Sequence, residues 1–266
     1  MKRAVAFLDV LGFKDKIDKM SSSELGKEYN QAIKNALGLN SSSSTNGPKL
    51  FPYMKKGDPY CYQSVFSDSI ILASFDESEE NVLKLMIYTL LLTRVMMVQG
   101  FILRGGVAYG DMYIDVNSNV FVGEALTKAY QLEMRQDWAG VTIDKSIVTE
   151  FPSFFNNNHQ YSKFLKAVFV EYPVPFKSGS VTNEFTINWR WNLVVEEGTK
   201  SLFSEPTSWD VKRKIDNTLD YALFVRKSKL VSPRKINECP LEIRRLFSAK
   251  GEGPPPSKPP QHGDEY

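Results

Sequence analysis

Two aspartates stand where short apolar runs end, and their positions suggest metal chemistry. Asp9 closes the run Ala4–Leu8, and Asp68 follows Val65-Phe66-Ser67. An unpaired buried carboxylate is costly, so an acid at the end of a buried strand must be paired or used. Two such acids on neighbouring strands could hold two divalent cations about 4 Å apart, as in phosphoryl and nucleotidyl transfer. The structural alternative is that Asp9 begins a helix and Asp68 lies in a hairpin turn.

The composition argues against several other classes of function. The 266 residues are 42% apolar and 24% charged, which is typical of a globular protein with a sizeable core. A net charge of +2 gives no reason to expect a nucleic-acid or membrane partner. Two histidines argue against a His-rich metal centre, and two cysteines without a disulfide framework predict a reducing, cytoplasmic location. The apolar stretch 83–98 contains Lys84 and Arg94, so we expect a buried helix rather than a membrane span.

The apolar patterns predict the elements that must position the two acids. In order, they are a strand over 4–10, a helical pattern over 13–37, strands over 60–66 and 69–75, a helix over 79–99 and a strand over 101–109. This order is the split βαβ, ferredoxin-like pattern, an α+β fold with an antiparallel central sheet flanked by helices. In that topology the first strand and the hairpin lie side by side. Asp9 and Asp68 are therefore expected to meet.

Beyond this core we predict further short elements within a single catalytic domain over residues 1–250. They are strands at 113–114, 120–122, 141–143, 166–172 and 184–194, and helices over 123–135, 144–151 and 207–228. Residues 40–58 are predicted to form a flexible loop. The Pro- and Gly-rich tail, 251–266, is predicted to be disordered.

Four motifs, in order, resemble those of the class III nucleotidyl cyclases over residues 4–180. They are Phe7-Leu8-Asp9-Val10-Leu11-Gly12-Phe13, Ser67-Asp68-Ser69-Ile70, the strand Leu103–Gly110 and the helix Gly123–Glu133. In the second motif the family usually has Gly before the Asp. The resemblance implies the class III catalytic fold. It also implies that Asp9, Asp68 and the Val10 carbonyl bind two Mg²⁺ or Mn²⁺ ions per site, and oxygen ligands suit these hard cations.

The resemblance also implies a set of phosphate-binding groups. A Gly before a helix lets backbone N–H groups approach a phosphate, so Leu11, Gly12 and Phe13 are expected to bind the triphosphate. Arg104 matches a triphosphate-binding arginine of cyclases, and Lys177 matches a phosphate-binding lysine. Together with the two acids, Arg104 is expected to be catalytic.

Two departures from the family pattern concern recognition of the base. Purine cyclases commonly have Lys where this chain has Ser64, and an acid where it has Val120. Both positions read the adenine edge, so their loss argues against ATP as the substrate. A pyrimidine needs a small pocket with a few polar groups and an apolar wall. The candidates are Gln63, Ser64, Tyr109 and Trp138, of which the last two are equally good core residues.

Two further departures concern the transition state. The family helix usually offers an Asn and an Arg there, and this chain has Thr127 and Gln131. Lys128 and Arg135, on the same helix, are candidates to replace the missing arginine. Either other groups support the chemistry or the protein is inactive.

These features together resemble the pyrimidine cyclases of bacterial Pycsar anti-phage systems. The segments Ala129–Glu133, Gln136–Gly140 and Tyr172–Lys177 also match that group. The resemblance implies conversion of UTP or CTP to the 3′,5′-cyclic monophosphate with release of pyrophosphate. It further implies a homodimer with two composite active sites and a separate effector protein that senses the product. A purine cyclase with atypical base recognition, an inactive nucleotide-binding regulator and a dinucleotide-forming nucleotidyltransferase remain alternatives.

Overall fold

A computed structural model of the chain describes residues 1–36, 60–189 and 208–228, which form an eight-stranded sheet with helices packed against it. The strands are β1 (Lys2–Val10), β2 (Tyr62–Phe66), β3 (Ser69–Ala73), β4 (Leu103–Asp115), β5 (Val120–Gly123), β6 (Val141–Ile143), β7 (Phe169–Pro175) and β8 (Val181–Ile187). The described helices are α1 (Phe13–Lys19), α2 (Ser22–Ala36), α3 (Glu79–Val98), α4 (Glu124–Arg135), α5 (Lys145–Glu150), α6 (Ser162–Val168) and α7 (Trp209–Lys227). A short 3-10 turn covers Pro152–Phe154.

The strand order confirms the predicted α+β fold class. The main path of the sheet is β2-β3-β1-β4-β6-β8-β7, and β5 pairs with β4 as an additional hairpin strand. β1 is antiparallel to both β3 and β4, while β4 and β6 run parallel. The first four strands of this order are those of the ferredoxin-like split βαβ unit. β1 is therefore central, and the β2–β3 hairpin lies directly beside it.

Side-chain caps explain where several helices begin. The hydroxyl of Ser78 accepts the N–H of Asn81 at the start of α3, and Ser208 caps α7 in the same way through Val211. Such caps satisfy backbone donors that have no partner within the helix. The Asp144 carboxylate accepts the N–H of Ser146 and starts α5. This is the end of β6 at which the sequence predicts a helix.

The long helix α3 lies in the core, as predicted. In the part of the chain that the structure describes, α3 alone is long and apolar enough to cross a membrane, but 78% of its apolar window is buried inside the fold. Its neighbours include Leu8, Ile70 and Leu103 from the central strands. This burial explains why the stretch 83–98 is so apolar although it does not cross a membrane.

A second apolar cluster attaches α7 to the far side of the sheet. Trp138, Tyr172 and Trp189 pack with Tyr221, Ala222 and Val225, the last three from α7. The Trp138 and Tyr221 ring centroids are 4.6 Å apart. The predicted helix over 207–228 is thus confirmed, and it belongs to the same body as the sheet.

Three strand predictions need correction. β4 continues to Asp115 instead of ending at Tyr109, because its outer half pairs with β5 to form a hairpin. The strand predicted at 166–172 occurs three residues later as β7, and the strand predicted at 184–194 occurs as β8, which begins three residues earlier and ends at Ile187. Residues 162–168 form α6 instead, and its apolar run merges with that of β7. The predicted loop 40–58, the tail 251–266 and residues 190–194 lie outside the described residues.

Candidate active site

The two predicted metal-binding acids meet at one end of the central strands. Asp9 is the next-to-last residue of β1 and lies opposite Ser69 of β3 and Arg104 of β4. Asp68 lies in the two-residue turn between β2 and β3, and its carbonyl accepts the Val10 N–H at 3.0 Å. The N–H and C=O of one strand residue point to the same side, so the Val10 carbonyl also faces the hairpin.

The turn that carries Asp68 depends on an unusual backbone conformation. Ser67 has φ 54°, in the left-handed region that favours glycine. A positive φ at the first central position is typical of type II′ hairpin turns. The glycine that the cyclase pattern usually has at this position is thus explained by the turn. In this chain a serine adopts the same conformation.

The environment of Asp9 makes its carboxylate difficult to ionise. The pKa of Asp9 is raised to about 6, mainly by burial and also by the nearby charges of Glu133 and Asp68, while Arg104 and Lys177 oppose the shift. The same five side chains therefore interact electrostatically around the end of β1. Two acids that repel each other in a half-buried position form a site that gains from a bound cation.

We expect this charge to make the stability of the metal-free protein dependent on pH. A carboxyl whose pKa is raised on folding binds its proton more tightly in the folded state, so stability falls as pH rises from about 4 to about 6. Asp9→Asn should raise the free energy of unfolding at pH 7.5 by about 1–2 kcal/mol, after discounting for solvent screening, and should have little effect at pH 4.

Urea denaturation in EDTA at the two pH values tests this expectation. Asp111→Asn is the matched control, because Asp111 is exposed at the other end of the same strand pair. An equal effect of Asp9→Asn at both pH values would contradict the electrostatic explanation.

Arg104 is held by an acid that the sequence did not identify. Its guanidinium donates to the Glu133 carboxylate through Nε and Nη2, and Nη1 donates to the Gln136 carbonyl at 3.3 Å. Arg104 is 6% exposed and Glu133 is 1% exposed. In the predicted motif Glu133 is simply the last residue of a helix pattern. Its pairing with Arg104 depends on the close approach of α4 to β4.

Gly106 permits that close approach. A Cβ at Gly106 would lie 2.4 Å from the Ala129 carbonyl oxygen of α4. No side chain can be placed there without moving the helix backbone, so the glycine of the Arg-x-Gly strand is required for packing. It brings Glu133 within reach of Arg104.

Lys177 reaches the site from the turn between β7 and β8. Its backbone N–H donates to the Arg135 carbonyl at 2.9 Å, which ties the turn to the end of α4. Partial burial lowers the pKa of Lys177, and the charges of Arg104 and Lys214 lower it further. The predicted phosphate-binding lysine is therefore near Arg104. Its charge also acts on Asp9, as described above.

The turn after β1 is only partly available for phosphate binding. The Leu11 N–H donates to the Ile102 carbonyl at 2.8 Å, so this amide is already used within the sheet. Gly12 is exposed, has φ 73°, and a Cβ there would meet no atom within 4 Å. Phe13 begins α1, and its ring packs on Tyr29. Of the three residues, Gly12 is the one whose surroundings leave room for a phosphate.

Tyr29 is a second residue of the site that sequence analysis missed. Its ring lies between Phe13 and Phe101, with centroid distances of 5.1 and 5.2 Å. The hydroxyl is buried and has no hydrogen-bond partner within the described residues. Burial raises its pKa, as do the charges of Asp68 and Asp9. Helical spacing marked Tyr29 only as a core position, and no sequence signal places its hydroxyl near the two acids.

The candidate base-binding residues fall into two groups. Trp138 is fully buried and donates its indole N–H to the Gln136 side chain, and Tyr109 packs edge-on against Phe151 in the core. Both positions agree with the core alternative. Gln63 and Ser64 are half-buried on β2, the first strand of the hairpin that carries Asp68, but they point to opposite faces of the sheet, and the Gln63 side chain hydrogen-bonds Tyr88 of α3.

The candidate transition-state residues lie along α4. Thr127 and Gln131 are exposed one turn apart, and the Thr127 hydroxyl donates to the Gly123 carbonyl. Lys128 pairs with Glu124 at 2.8 Å, and the Arg135 guanidinium lies 5.8 Å from the centre of the Phe176 ring. The structure thus places these four residues on one helix beside the site, without bringing them to Asp9 or Asp68.

The residues at the end of β1 fit a hard divalent cation. In the described ranges no cluster of three or more His, Cys, Asp or Glu side chains could hold a metal by itself. Two carboxylates and a backbone carbonyl are nevertheless the oxygen donors that Mg²⁺ takes when substrate phosphates complete its coordination. The repulsion that raises the pKa of Asp9 and the unpartnered Tyr29 hydroxyl beside it are consistent with a ligand bound there.

Comparison with known proteins gives weak structural similarities. No protein-family model and no curated protein matches the chain. Similar solved structures include the adenylyl cyclase CyaB from P. aeruginosa, with TM-score 0.45 and 12% identity over 70% of this chain and 94% of that one. The catalytic core of a rhodopsin-guanylyl cyclase with converted specificity, in complex with ATPαS, has TM-score 0.44 and 14% identity over the same shares. A bacterial light-regulated adenylyl cyclase has TM-score 0.44 and 11% identity over 86% of this chain and 57% of that one.

At TM-scores below 0.5 these similarities establish neither the family nor the activity of the chain.

Proposed function

We propose that the chain is a nucleotidyl cyclase that converts UTP or CTP to the 3′,5′-cyclic monophosphate and pyrophosphate. The observation that carries the proposal is the meeting of Asp9 and Asp68 at one end of the central strands, beside the cations of Arg104 and Lys177. The two carboxylates suit divalent cations, and the two basic side chains suit the phosphates that those cations carry. The four ordered motifs of the sequence give the reaction class.

Asp9, Asp68 and the Val10 carbonyl would hold the two Mg²⁺ or Mn²⁺ ions. When bound, the ions supply Lewis-acid activation of the ribose 3′-hydroxyl and offset charge on the leaving pyrophosphate. The Gly12 turn and Lys177 would orient the triphosphate, and the exposed position of Lys177 allows this. The Arg104 guanidinium is bound by Glu133, so it would act on the site through its positive charge, from the buried side of the two acids.

A homodimer with composite sites is part of the proposal. Apolar side chains are exposed on the same surface of α4 as Thr127 and Gln131, namely Tyr130 and Met134. At the β2–β3 hairpin Phe66 is 79% exposed. Apolar groups of this size beside a functional surface favour contact with another protein, and a two-fold pairing of identical chains is the commonest solution. In such a dimer α4 of one protomer would complete the site of its partner.

Ser64 is the residue to which we assign recognition of the pyrimidine. It is half-buried and polar, and it lies on the strand that leads into the Asp68 turn, on the same face of the sheet as Asp9. In the wider proposal the cyclic nucleotide is a second messenger of cytoplasmic anti-phage defence, detected by a separate effector protein. This biological role rests on the Pycsar resemblance alone.

The identity of the product tests the proposal. The purified chain is incubated with all four nucleoside triphosphates and Mn²⁺, and the products are identified by mass spectrometry. We expect 3′,5′-cyclic UMP or cyclic CMP. A cyclic purine nucleotide would support the purine alternative, and a product with two bases would indicate a dinucleotide-forming enzyme. Calorimetric binding of a nucleotide without any product would indicate an inactive regulator.

A further inference from the structure

A pocket of about 630 Å³ lies between α1 and α7, next to the candidate active site. Leu11 and Gly12, which directly follow the end of β1, form one side of it, and Lys214 and Ile215 of α7 form the other. α7 begins at residue 209, almost 30 residues after the stretch that resembles the cyclases. The pocket is therefore built partly from a segment to which the family resemblance assigns no role.

The charged side chains that line this pocket are mostly basic, and they stand among apolar residues such as Ile102, Val211 and Ile215. Lys16 and Lys19 of α1 and Lys214 of α7 line it, against the single acid Asp15. None of the three lysines forms an ion pair with a carboxylate of the described residues. Lys177 lies nearby. The pKa of Lys177 is lowered mainly by burial, then by the charge of Arg104, and then by the charge of Lys214. Three lysines thus line the pocket against one acid, and a fourth lysine, Lys177, lies close to Lys214.

The position of α7 is fixed by polar contacts as well as by apolar packing. The Ala139 N–H donates to the Thr218 hydroxyl at 2.8 Å, and Asn217 donates to the Asp137 carbonyl at 2.7 Å. Arg213 pairs with the Asp137 carboxylate. Lys214 therefore stands on a helix that is anchored to the loop before β6, and it does not depend on a flexible surface segment.

We infer that this pocket binds the polyphosphate end of the nucleotide and the pyrophosphate product, with Lys214 as a phosphate-positioning residue supplied by α7. The inference rests on the proposed function and adds a phosphate-binding element to it. A polyphosphate matches the pocket because it carries several negative charges along a chain. Such a chain can extend from the Gly12 turn toward Lys16, Lys19 and Lys214. A single phosphate would satisfy only part of this set.

Binding of inorganic tripolyphosphate to the full chain tests the inference without any turnover. Lys214→Met removes the charge but keeps the apolar stem of the side chain. We expect isothermal titration calorimetry to show binding about 10- to 100-fold weaker than in the unmodified protein, the loss expected for one charged hydrogen bond. Higher ionic strength should reduce the difference, because salt screens the charges.

Lys212→Met is the matched control, because Lys212 lies on the same helix but is exposed, outside the pocket and near the Trp209 ring. Tripolyphosphate affinity within twofold of the unmodified protein is expected for this variant. The inference would be overturned if Lys214→Met also stayed within twofold, or if orthophosphate bound as tightly as tripolyphosphate. Lys214-dependent binding without a cyclic product from any nucleotide would contradict the proposed function and leave the polyphosphate site standing.

Discussion

Asp9→Ala and Asp68→Ala are each expected to lower turnover at least about 10³-fold in the purified protein with Mn²⁺ and its nucleotide substrate. Each substitution removes a carboxylate from the end of β1 or from the hairpin turn beside it. A bound cation contributes several kcal/mol of charge stabilisation in the transition state, and about 4 kcal/mol corresponds to a factor of about 10³. Initial rates of cyclic nucleotide formation give the measurement.

The fold of both variants should be retained, since neither carboxylate forms an ion pair within the described residues. Circular dichroism and thermal unfolding check this point. Asp111→Ala is the control, because Asp111 is an exposed strand residue far along β4 from Arg104. Near-normal turnover in either the Asp9 or the Asp68 variant would show that the two acids do not form a metal site.

The second large effect is expected on stability. Glu133→Ala should lower the free energy of unfolding by about 3 kcal/mol, because it leaves the buried Arg104 guanidinium with only the Gln136 carbonyl and the nearby Asp9 charge. Breaking one side of a buried ion pair costs about 3–5 kcal/mol, and the remaining partners favour the lower end. For a chain of this size the melting temperature should fall by about 6–12 °C.

Two comparisons make this measurement specific to the buried pair. Glu124→Ala removes the exposed partner of Lys128 and should leave the free energy of unfolding nearly unchanged, because solvent screens exposed ion pairs. The double substitution Arg104→Met with Glu133→Leu should recover most of the stability lost in Glu133→Ala, since apolar residues of similar volume replace both charges. A loss below about 1 kcal/mol for Glu133→Ala would show that Arg104 finds another partner.

The central part of the fold could be predicted because its apolar patterns are unambiguous. β1, the β2–β3 hairpin and α3 are each apolar runs separated by polar turns, and their order leaves few possible topologies. The position of Asp9 beside Asp68 follows from that topology. It required no knowledge of side-chain packing.

The outer strands could not be placed as well, for a physical reason. β7 contains Pro173 and Pro175, which are unfavourable within most sheets and lie beyond the predicted end of the strand at residue 172. β7 lies at the edge of the sheet, where a missing N–H costs little, so the strand tolerates both prolines. The apolar residues of α6 run directly into those of β7, and periodicity alone does not separate them.

Side chains that meet across long distances in the chain were the hardest to foresee. Glu133, Tyr29 and Lys214 each sit at an ordinary helical position, and nothing in their neighbours distinguishes them from core or surface residues. Their roles depend on three separate packing contacts, with β4, with α1 and with the loop before β6. Sequence patterns describe each helix alone, whereas these contacts depend on how the helices are assembled.

The anchoring of α7 sets a lower limit on the length of chain that folds as one unit. A protein ending at residue 180, where the resemblance to cyclases stops, would uncover the faces of Trp138 and Tyr172 that now pack on Tyr221. It would also deprive the Asp137 carboxylate of Arg213. The folded unit therefore extends through residue 228, and domain boundaries drawn from the shared motifs alone would cut through its hydrophobic interior.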